Sequence, residues 1–368
     1  MRLARLAKIL FLTVLMLSLL LIAGCAFKEK ETAAQKKSLN ATHFEKYLNV
    51  GWAPSGKNIY TVELYINTKK SYDCRLYSQK PDMSDKILLE RGAKLINDIV
   101  VSPSGKYMLF SRGGQLISFG EWDTGYLEVM DIKTRKVVSR IPERSLAYGW
   151  KDEKTIWYST TSEGTSVINT AGVGSSVGSE LVKGDGLTWS NDGRYLIYTV
   201  RGSSAAGGSL FALDTKTNIS SNLVESSGGS FLTGVMDGNN LYYVYERDGL
   251  SFINVSVLDI SRKTRRGLWS LDRPPVAIDE THVNAGNIVS IDKLFLDQSK
   301  KSLIFNLDER ETQSLVYRLS AVNEGVASRE ALLRSGSLQG KNPFDYCAAN
   351  NSITWIDKYK AIKTKRLD

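Results

Sequence analysis

The sequence predicts an all-β chain: a β-propeller of four-stranded antiparallel blades, seven in number, with six as the alternative. Three observations lead there. A hairpin-like unit recurs seven times along the chain. Successive copies stand 39 to 62 residues apart, the spacing of one blade. Helical periodicity is nearly absent after residue 42, and the best helical stretch is the short segment 329–334.

The first element lies outside this pattern. Residues 1–8 carry Arg2, Arg5 and Lys8, and residues 9–22 are apolar apart from Thr13 and Ser18. Ala23, Gly24 and Cys25 follow. A basic start, a short apolar core and small residues before a cleavage point read as an export signal. The run is shorter than the roughly 20 residues that span a bilayer comfortably. Residues 21–25 (LIAGC) also resemble the bacterial lipoprotein signal. That resemblance implies removal of residues 1–24 and lipidation of Cys25. It places the chain on the extracytoplasmic face of a bacterial membrane, inner versus outer left open.

Residues 25–42 (CAFKEKETAAQKKSLNAT) are polar and poor in large apolar side chains. Such a stretch buries too little surface to offset its ordering entropy, so it reads as a flexible tether. The folded domain is expected over residues 43–368. Removing residues 1–24 takes three basic side chains from a net charge of +9 and leaves +6. The charges are scattered, apart from residues 363–366 (KTKR). With no basic stripe, nucleic acid is not an expected partner.

The repeats begin at residues 52–62 (WAPSGKNIYTV). They continue at 101–111 (VSPSGKYMLFS), 150–160 (WKDEKTIWYST), 189–200 (WSNDGRYLIYTV), 235–245 (VMDGNNLYYVY), 295–307 (FLDQSKKSLIFNL) and 347–357 (CAANNSITWID). Each has an apolar strand end, a polar turn and an alternating apolar run, the sequence form of a hairpin. The turn anchors are Gly56, Gly105, Lys154, Gly193, Gly238, Lys300 and Asn351. Glycine and asparagine tolerate positive φ cheaply; the two lysines predict a different turn in their copies. A second strand pair follows, clearest in residues 127–138, 210–224 and 254–268, where a strand ends in Asp plus one residue before a polar turn.

A lone four-stranded blade cannot bury both of its faces. Stacking blades in a ring does so and leaves short, protected edges. The seventh copy has room for two or three strands, so residues 44–50 (FEKYLNV) are expected to complete it. Trp52, Trp150 and Trp189 occupy equivalent positions and are expected to pack between blades. The form Trp-Ser-x-Asp-Gly-Arg/Lys, best kept at Trp189 to Arg194, resembles the TolB-like, WD-repeat-like propeller repeat of bacterial envelope proteins. The resemblance implies the fold and leaves the function open, because such propellers carry many roles.

Chemistry is sparse. His43 stands at the end of the tether, and His282 lies with Asp279 and Glu280 in the irregular segment 271–287. No Gly-x-Ser-x-Gly elbow is present, and residues 214–222 (DTKTNISSN) lack the glycine and final Glu of an EF-hand. The glycine-rich residues 171–179 and 201–209 lead into strands rather than a helix N-terminus, so they read as hairpin loops. Trp122, off the repeat pattern in a loop, and Arg273 and His282, in the long insertion, are the candidate partner contacts. A disulfide between Cys74 and Cys347 would lock the ring. Cys74 reads as an outer-strand residue and Cys347 as an inner-strand one, which argues against it.

The expected function is a membrane-anchored binding or scaffolding module for a protein, cell-wall or glycan partner. It is expected to be monomeric and not an enzyme, with no metal and no cofactor. One alternative is an enzyme of glycans or lactones, which requires paired acids about 5–10 Å apart in the funnel of the ring. Another is an accessory or sensor component of an export system.

Overall fold

The structure is a computed structural model. It describes residues 43–66, 72–113, 116–118, 121–122, 125–142, 145, 147–162, 164–201, 208–225, 229–247, 252–272, 289–290, 293–297, 302–309, 313–320, 328–335, 344–357 and 361–367. Cys25, Arg273 and His282 lie outside the described residues.

The seven repeats are seven blades. Blade 1 is β1 (His43–Trp52), β2 (Ile59–Ile66), β3 (Tyr72–Gln79) and β4 (Ile87–Gly92). Blade 2 holds β5 (Ile96–Val101), β6 (Tyr107–Arg112), β9 (Tyr126–Asp131) and β10 (Lys136–Ile141), with a separate hairpin of β7 (Leu116–Ser118) and β8 (Glu121–Trp122) between β6 and β9. Blade 3 is β11 (Ala147–Asp152), β12 (Thr155–Ser162), β13 (Thr165–Gly172) and β14 (Ser179–Lys183). Blade 4 is β15 (Asp185–Trp189), β16 (Tyr195–Arg201), β17 (Gly208–Asp214) and β18 (Ile219–Val224). Blade 5 is β19 (Gly229–Asp237), β20 (Asn240–Arg247), β21 (Phe252–Asp259) and β22 (Thr264–Asp272). Blade 6 splits its inner strand into β23 (Val289–Ser290) and β24 (Leu294–Asp297), followed by β25 (Ser302–Glu309), β26 (Gln313–Ser320) and β27 (Ser328–Ser335). Blade 7 is β28 (Phe344–Cys347), β29 (Ser352–Ile356) and β30 (Ile362–Arg366). All pairings are antiparallel.

The repeat turns close the inner hairpins. Gly56, Gly105, Gly193 and Gly238 have φ of 68°, 78°, 67° and 55°, and Asn351 has 48°. The amides of Gly56, Gly105 and Gly193 donate to the carbonyls of Ala53, Ser102 and Ser190 at 2.8–2.9 Å. In two copies the leading serine hydroxyl also accepts the next strand's first amide, Tyr107 to Ser102 at 3.0 Å and Tyr195 to Ser190 at 2.8 Å. Blade 3 turns differently, as its lysine predicts: the Lys154 amide donates to Asp152 Oδ1 at 2.8 Å. Lys300 lies outside the described residues.

The aspartates that end the third strands also do turn work. Asp131, Asp214 and Asp259 each accept an amide hydrogen bond from residues 134, 216 and 261 at 2.8–2.9 Å. Four residues beyond each, Arg135, Asn218 and Lys263 take positive φ. The side chain caps a turn the backbone alone would leave unsatisfied.

Each of the six four-stranded blades has one extra residue in its outer strand, opposite the middle of the third strand. The bulged residues are Leu89, Val138, Leu181, Leu223, Leu268 and Leu332. All are aliphatic. A bulge bends and twists the edge strand, which discourages pairing with another chain.

The apolar core is divided among the seams between blades. Tyr60, Val62, Leu76 and Phe110 bridge blades 1 and 2; Val129, Ile156 and Tyr158 bridge blades 2 and 3. Trp52 packs with Ile59 against Cys347 and Ile356 at the seam of blades 1 and 7. Trp189 packs on Trp157 between blades 3 and 4, and Trp150 reaches across from blade 3 to donate to the Val100 carbonyl at 2.9 Å. The three repeat tryptophans therefore hold neighbouring blades together.

Three expectations are corrected. Residues 44–50 do not complete blade 7; they belong to β1 and pair with β2. A six-residue turn, residues 53–58, joins Trp52 to β2, and that local closure fixes residues 44–50 in their own blade. The segment 329–334 is strand β27, because pairing with β26 overrides its helix-forming residues. Trp122 sits in strand β8 rather than in a loop. Cys74, on a third strand, and Cys347, on a first, are both buried free thiols.

Candidate functional site

Antiparallel order decides which connections share a face. Within a blade, the first and third turns leave one edge. The second turn and the step to the next blade leave the other. The turns at Gly56, Gly105, Gly193, Gly238 and Asn351 thus share a turn face. The opposite, crossover face carries residues 93–95, the connection 113–125 with its β7–β8 hairpin, and the strand ends Asp272 and Val289. Trp122 therefore stands on the crossover face. The described ends Asp272 and Val289, which flank the segment of Arg273 and His282, lie on that face, three blades away.

Beside the root of the β7–β8 hairpin lies a groove of about 480 Å³ between blades 1 and 2. Its floor is a buried ion-pair network. Arg112, 7% exposed at the end of β6, donates through Nε to Glu128 Oε2 at 2.6 Å and pairs through Nη2 with Glu90 Oε1 at 3.0 Å. This ties blade 2 to the outer strand of blade 1. Arg140, on β10, reaches the other Glu128 oxygen with Nε at 3.0 Å and Nη2 at 2.7 Å. Glu128 is 1% exposed, and a buried carboxylate needs such satisfied partners. Gly92 makes the arrangement fit: a Cβ there would stand 2.6 Å from Arg112 Nη1.

At the mouth the charge is positive and aromatic. Lys94 Nζ lies 5.0 Å and the Arg140 guanidinium carbon 4.8 Å from the centre of the Tyr126 ring. Three cations and two carboxylates line the groove, a net charge of +1. The carboxylates are engaged below, while Lys94 and Arg140 are exposed. Such a surface offers cation–π stacking and a place for an anionic group. Exposed aliphatic pairs flank it: Ile87 and Leu88 on β4, Val137 and Val138 on β10.

A second cavity, of about 370 Å³, lies on the inner strands where blades 7, 1 and 2 meet. Asp345 and Lys293 border it. Asp345 accepts the Trp52 amide at 2.6 Å and the Tyr346 amide at 3.0 Å, and Lys293 Nζ donates to the Phe344 carbonyl at 2.8 Å. Burial pushes the Asp345 carboxyl above its ordinary range, against the pull of Lys293 and the two amides. Asp345 is the one carboxylate among the described residues lining this cavity.

Among the described residues, no group of three or more His, Cys, Asp or Glu could hold a metal. Residues 214–222 are the end of β17, the turn 215–218 and the first part of β18, and Asp214 pairs with Arg194 at 2.7 Å. Sequence reasoning singled out Trp122 as a partner contact but missed Lys94, Arg112, Tyr126, Glu128 and Arg140. Pairing of β6, β9 and β10 brings Arg112, Tyr126, Glu128 and Arg140 together within blade 2, and the connection 93–95 from blade 1 adds Lys94.

No protein-family model and no curated protein matches the sequence. Solved structures do. A prolyl endopeptidase aligns with a TM-score of 0.56 and 13% identity, over 89% of this chain and 50% of its own, so this chain spans half its length. An oligogalacturonate lyase solved with manganese aligns at 0.58 and 11% identity, over 88% of each chain. At such identities these likenesses establish the fold. A TolB from Acinetobacter baumannii aligns at 0.47 and 13% identity, over 82% of this chain and 80% of its own.

Proposed function

We propose that this chain is a membrane-anchored binding module, exported and lipidated at Cys25, whose crossover face takes a protein or cell-envelope partner. The observation that carries the reading is the groove of blades 1 and 2, where Lys94 and Arg140 lie over Tyr126 beside the β7–β8 hairpin. The seven stacked blades supply the rigid frame such a surface requires. The net charge of +6 after loss of residues 1–24 suits work beside an anionic envelope.

Two measurements test it. Intact mass of protein extracted from membranes is expected to show a chain starting at Cys25 plus acyl groups; an unprocessed N-terminus removes the anchor. Cross-linking in cells is expected to capture a partner with the wild type and lose it with the double variant Tyr126→Ala, Arg140→Glu. Equal capture by both proteins removes the groove from the reading.

A further inference from the structure

The cavity of about 370 Å³ on the inner strands lies apart from the groove, bordered by the turn residues Ala53, Pro54, Ala348 and Ala349. Its volume falls in the range of small-molecule sites, about 300–1,000 Å³. The repeat is broken here. Four positions before the turn anchor stands a tryptophan in blades 1, 3 and 4, but Val101 in blade 2 and Cys347 in blade 7. Both smaller side chains line the cavity. Protein interiors are close-packed, so the missing indole volume leaves room that needs an occupant.

The electrostatics say what kind of occupant. Asp345 lies deep in the ring, yet part of it stays accessible where it lines this space. A carboxylate has about four acceptor positions. The Trp52 amide takes one on Oδ2 and the Tyr346 amide one on Oδ1. Lys293, the one cation among the described residues lining the cavity, donates through Nζ to the Phe344 carbonyl. Burial still outweighs the pull of Lys293 and of both amides on the carboxyl. The protein therefore compensates the charge of Asp345 only in part. Around it the wall is apolar, formed by Val50, Pro54, Ile99 and Val101.

Three ligand chemistries can be compared at such a place. A divalent metal takes six or more oxygen ligands, and one carboxylate is a poor start for it. An anion meets the charge of Asp345 and an apolar wall. A primary ammonium on a short alkyl body uses both features: its nitrogen donates to the open acceptor positions of Asp345, and its carbons cover the aliphatic side chains.

We propose that the cavity between blades 7, 1 and 2 binds an alkylammonium group, its nitrogen on Asp345 and its carbons against Val50, Ile99 and Val101. Gly51 keeps the place open. A Cβ there would stand 3.4 Å from Ile99 Cδ1 and 3.6 Å from Asp345 Oδ2, so a larger side chain at 51 reaches into the space of the ligand. The site adjoins the bond of Asp345 to the Trp52 amide, which makes that amide a reporter of occupancy.

NMR of the full chain labelled with ¹⁵N-tryptophan tests this, by titration with n-butylammonium and with neutral 1-butanol of like size. The Trp52 amide signal is expected to shift and to saturate at least about tenfold more tightly with n-butylammonium. The Trp189 amide, three blades away, is expected to stay in place. Asp345→Asn keeps an acceptor for the Trp52 amide and is expected to bring the two titrants level. Gly51→Leu is expected to abolish the shift and decides the matter if the asparagine chain fails to fold. Lys293→Met removes the competing cation and is expected to tighten n-butylammonium by about threefold. A lysine side chain carries the same group, so N-acetyl-lysine amide is titrated as well. Tighter binding of it than of n-butylammonium points to a peptide as the source, and weaker binding to a free amine. Equal saturation by n-butylammonium and 1-butanol in the wild type overturns the proposal. So does an n-butylammonium shift of Trp52 that survives in both Asp345→Asn and Gly51→Leu, or weaker binding by Lys293→Met.

Discussion

The amide of Trp52 donates to the Asp345 carboxylate at 2.6 Å across 293 residues of sequence. This bond joins the first blade to the last beside the Trp52–Cys347 apolar seam. It is a charge-assisted bond in a mostly buried place, so its loss is costly. Asp345→Ala is expected to lower unfolding stability by about 2 kcal/mol in urea melts. A cost below a few tenths would mean that apolar packing alone closes the ring.

Asp345 also predicts a pH effect of a particular sign. Burial raises its carboxyl, so the folded chain binds this proton more tightly than the unfolded chain does. Its contribution to stability therefore falls as pH rises from about 4 toward the raised value. Asp345→Asn lacks that dependence, and its deficit against the wild type is expected to narrow as pH rises through this window. Parallel curves refute the assignment.

The turn carboxylates act in the opposite sense. Hydrogen bonds from Thr134, from Arg194 and from Ser261 hold Asp131, Asp214 and Asp259 below the usual range. At Glu153 partial burial pushes upward, but bonds from Ser104 and Ser102 outweigh it. Their contribution is complete above the unfolded values and is lost as pH falls through the lowered ones. Glu153, in the turn of blade 3, holds the Ser104 amide of blade 2 at 2.9 Å. Glu153→Ala is expected to cost about 1 kcal/mol at neutral pH and progressively less below about pH 4. Thermal melts across pH check it, and a pH-independent cost counts against the latch.

Gly193 has φ of 67°, and an added Cβ would stand 3.2 Å from the Lys151 carbonyl of the preceding blade. Gly193→Ala is expected to cost about 1 kcal/mol, and Gly193→Asn less, because asparagine tolerates this conformation. Equal costs in chemical denaturation would assign the effect to the close approach of Lys151 rather than to backbone strain.

Burial lifts the Cys74 thiol to about 11 and raises that of Cys347 as well. At pH 8 both are expected to resist iodoacetamide in the folded protein and to react together in denaturant, read by intact mass. Rapid labelling of Cys74 in the native state would contradict its place in the seam of blades 1 and 2.

Much of the fold was legible because its signals are local. A glycine or asparagine at positive φ must sit in the turn itself, and an aspartate that caps a turn must precede it by a residue or two. Gly56, Gly105, Gly193, Gly238 and Asn351 therefore marked five inner hairpins directly, and the recurring pattern marked the other two. The same locality explains the error over residues 44–50: their alternating pattern states that they form a strand, while the strand they join depends on the turn that follows. Residues 329–334 show the converse case, where intrinsic preference gave way to pairing with β26. At the groove, Lys94, Arg112, Tyr126, Glu128 and Arg140 lie up to 46 positions apart and carry no shared spacing. Coulombic and stacking contacts act through space, so no periodicity announces them. By itself the sequence determined the repeat, the strand class and the turn chemistry, and favoured seven blades over six, since each follows from backbone preferences within a few residues. The tertiary structure alone decided how the ring closes, which face each connection leaves, and where buried charge gathers, because those depend on distances between residues remote in the chain.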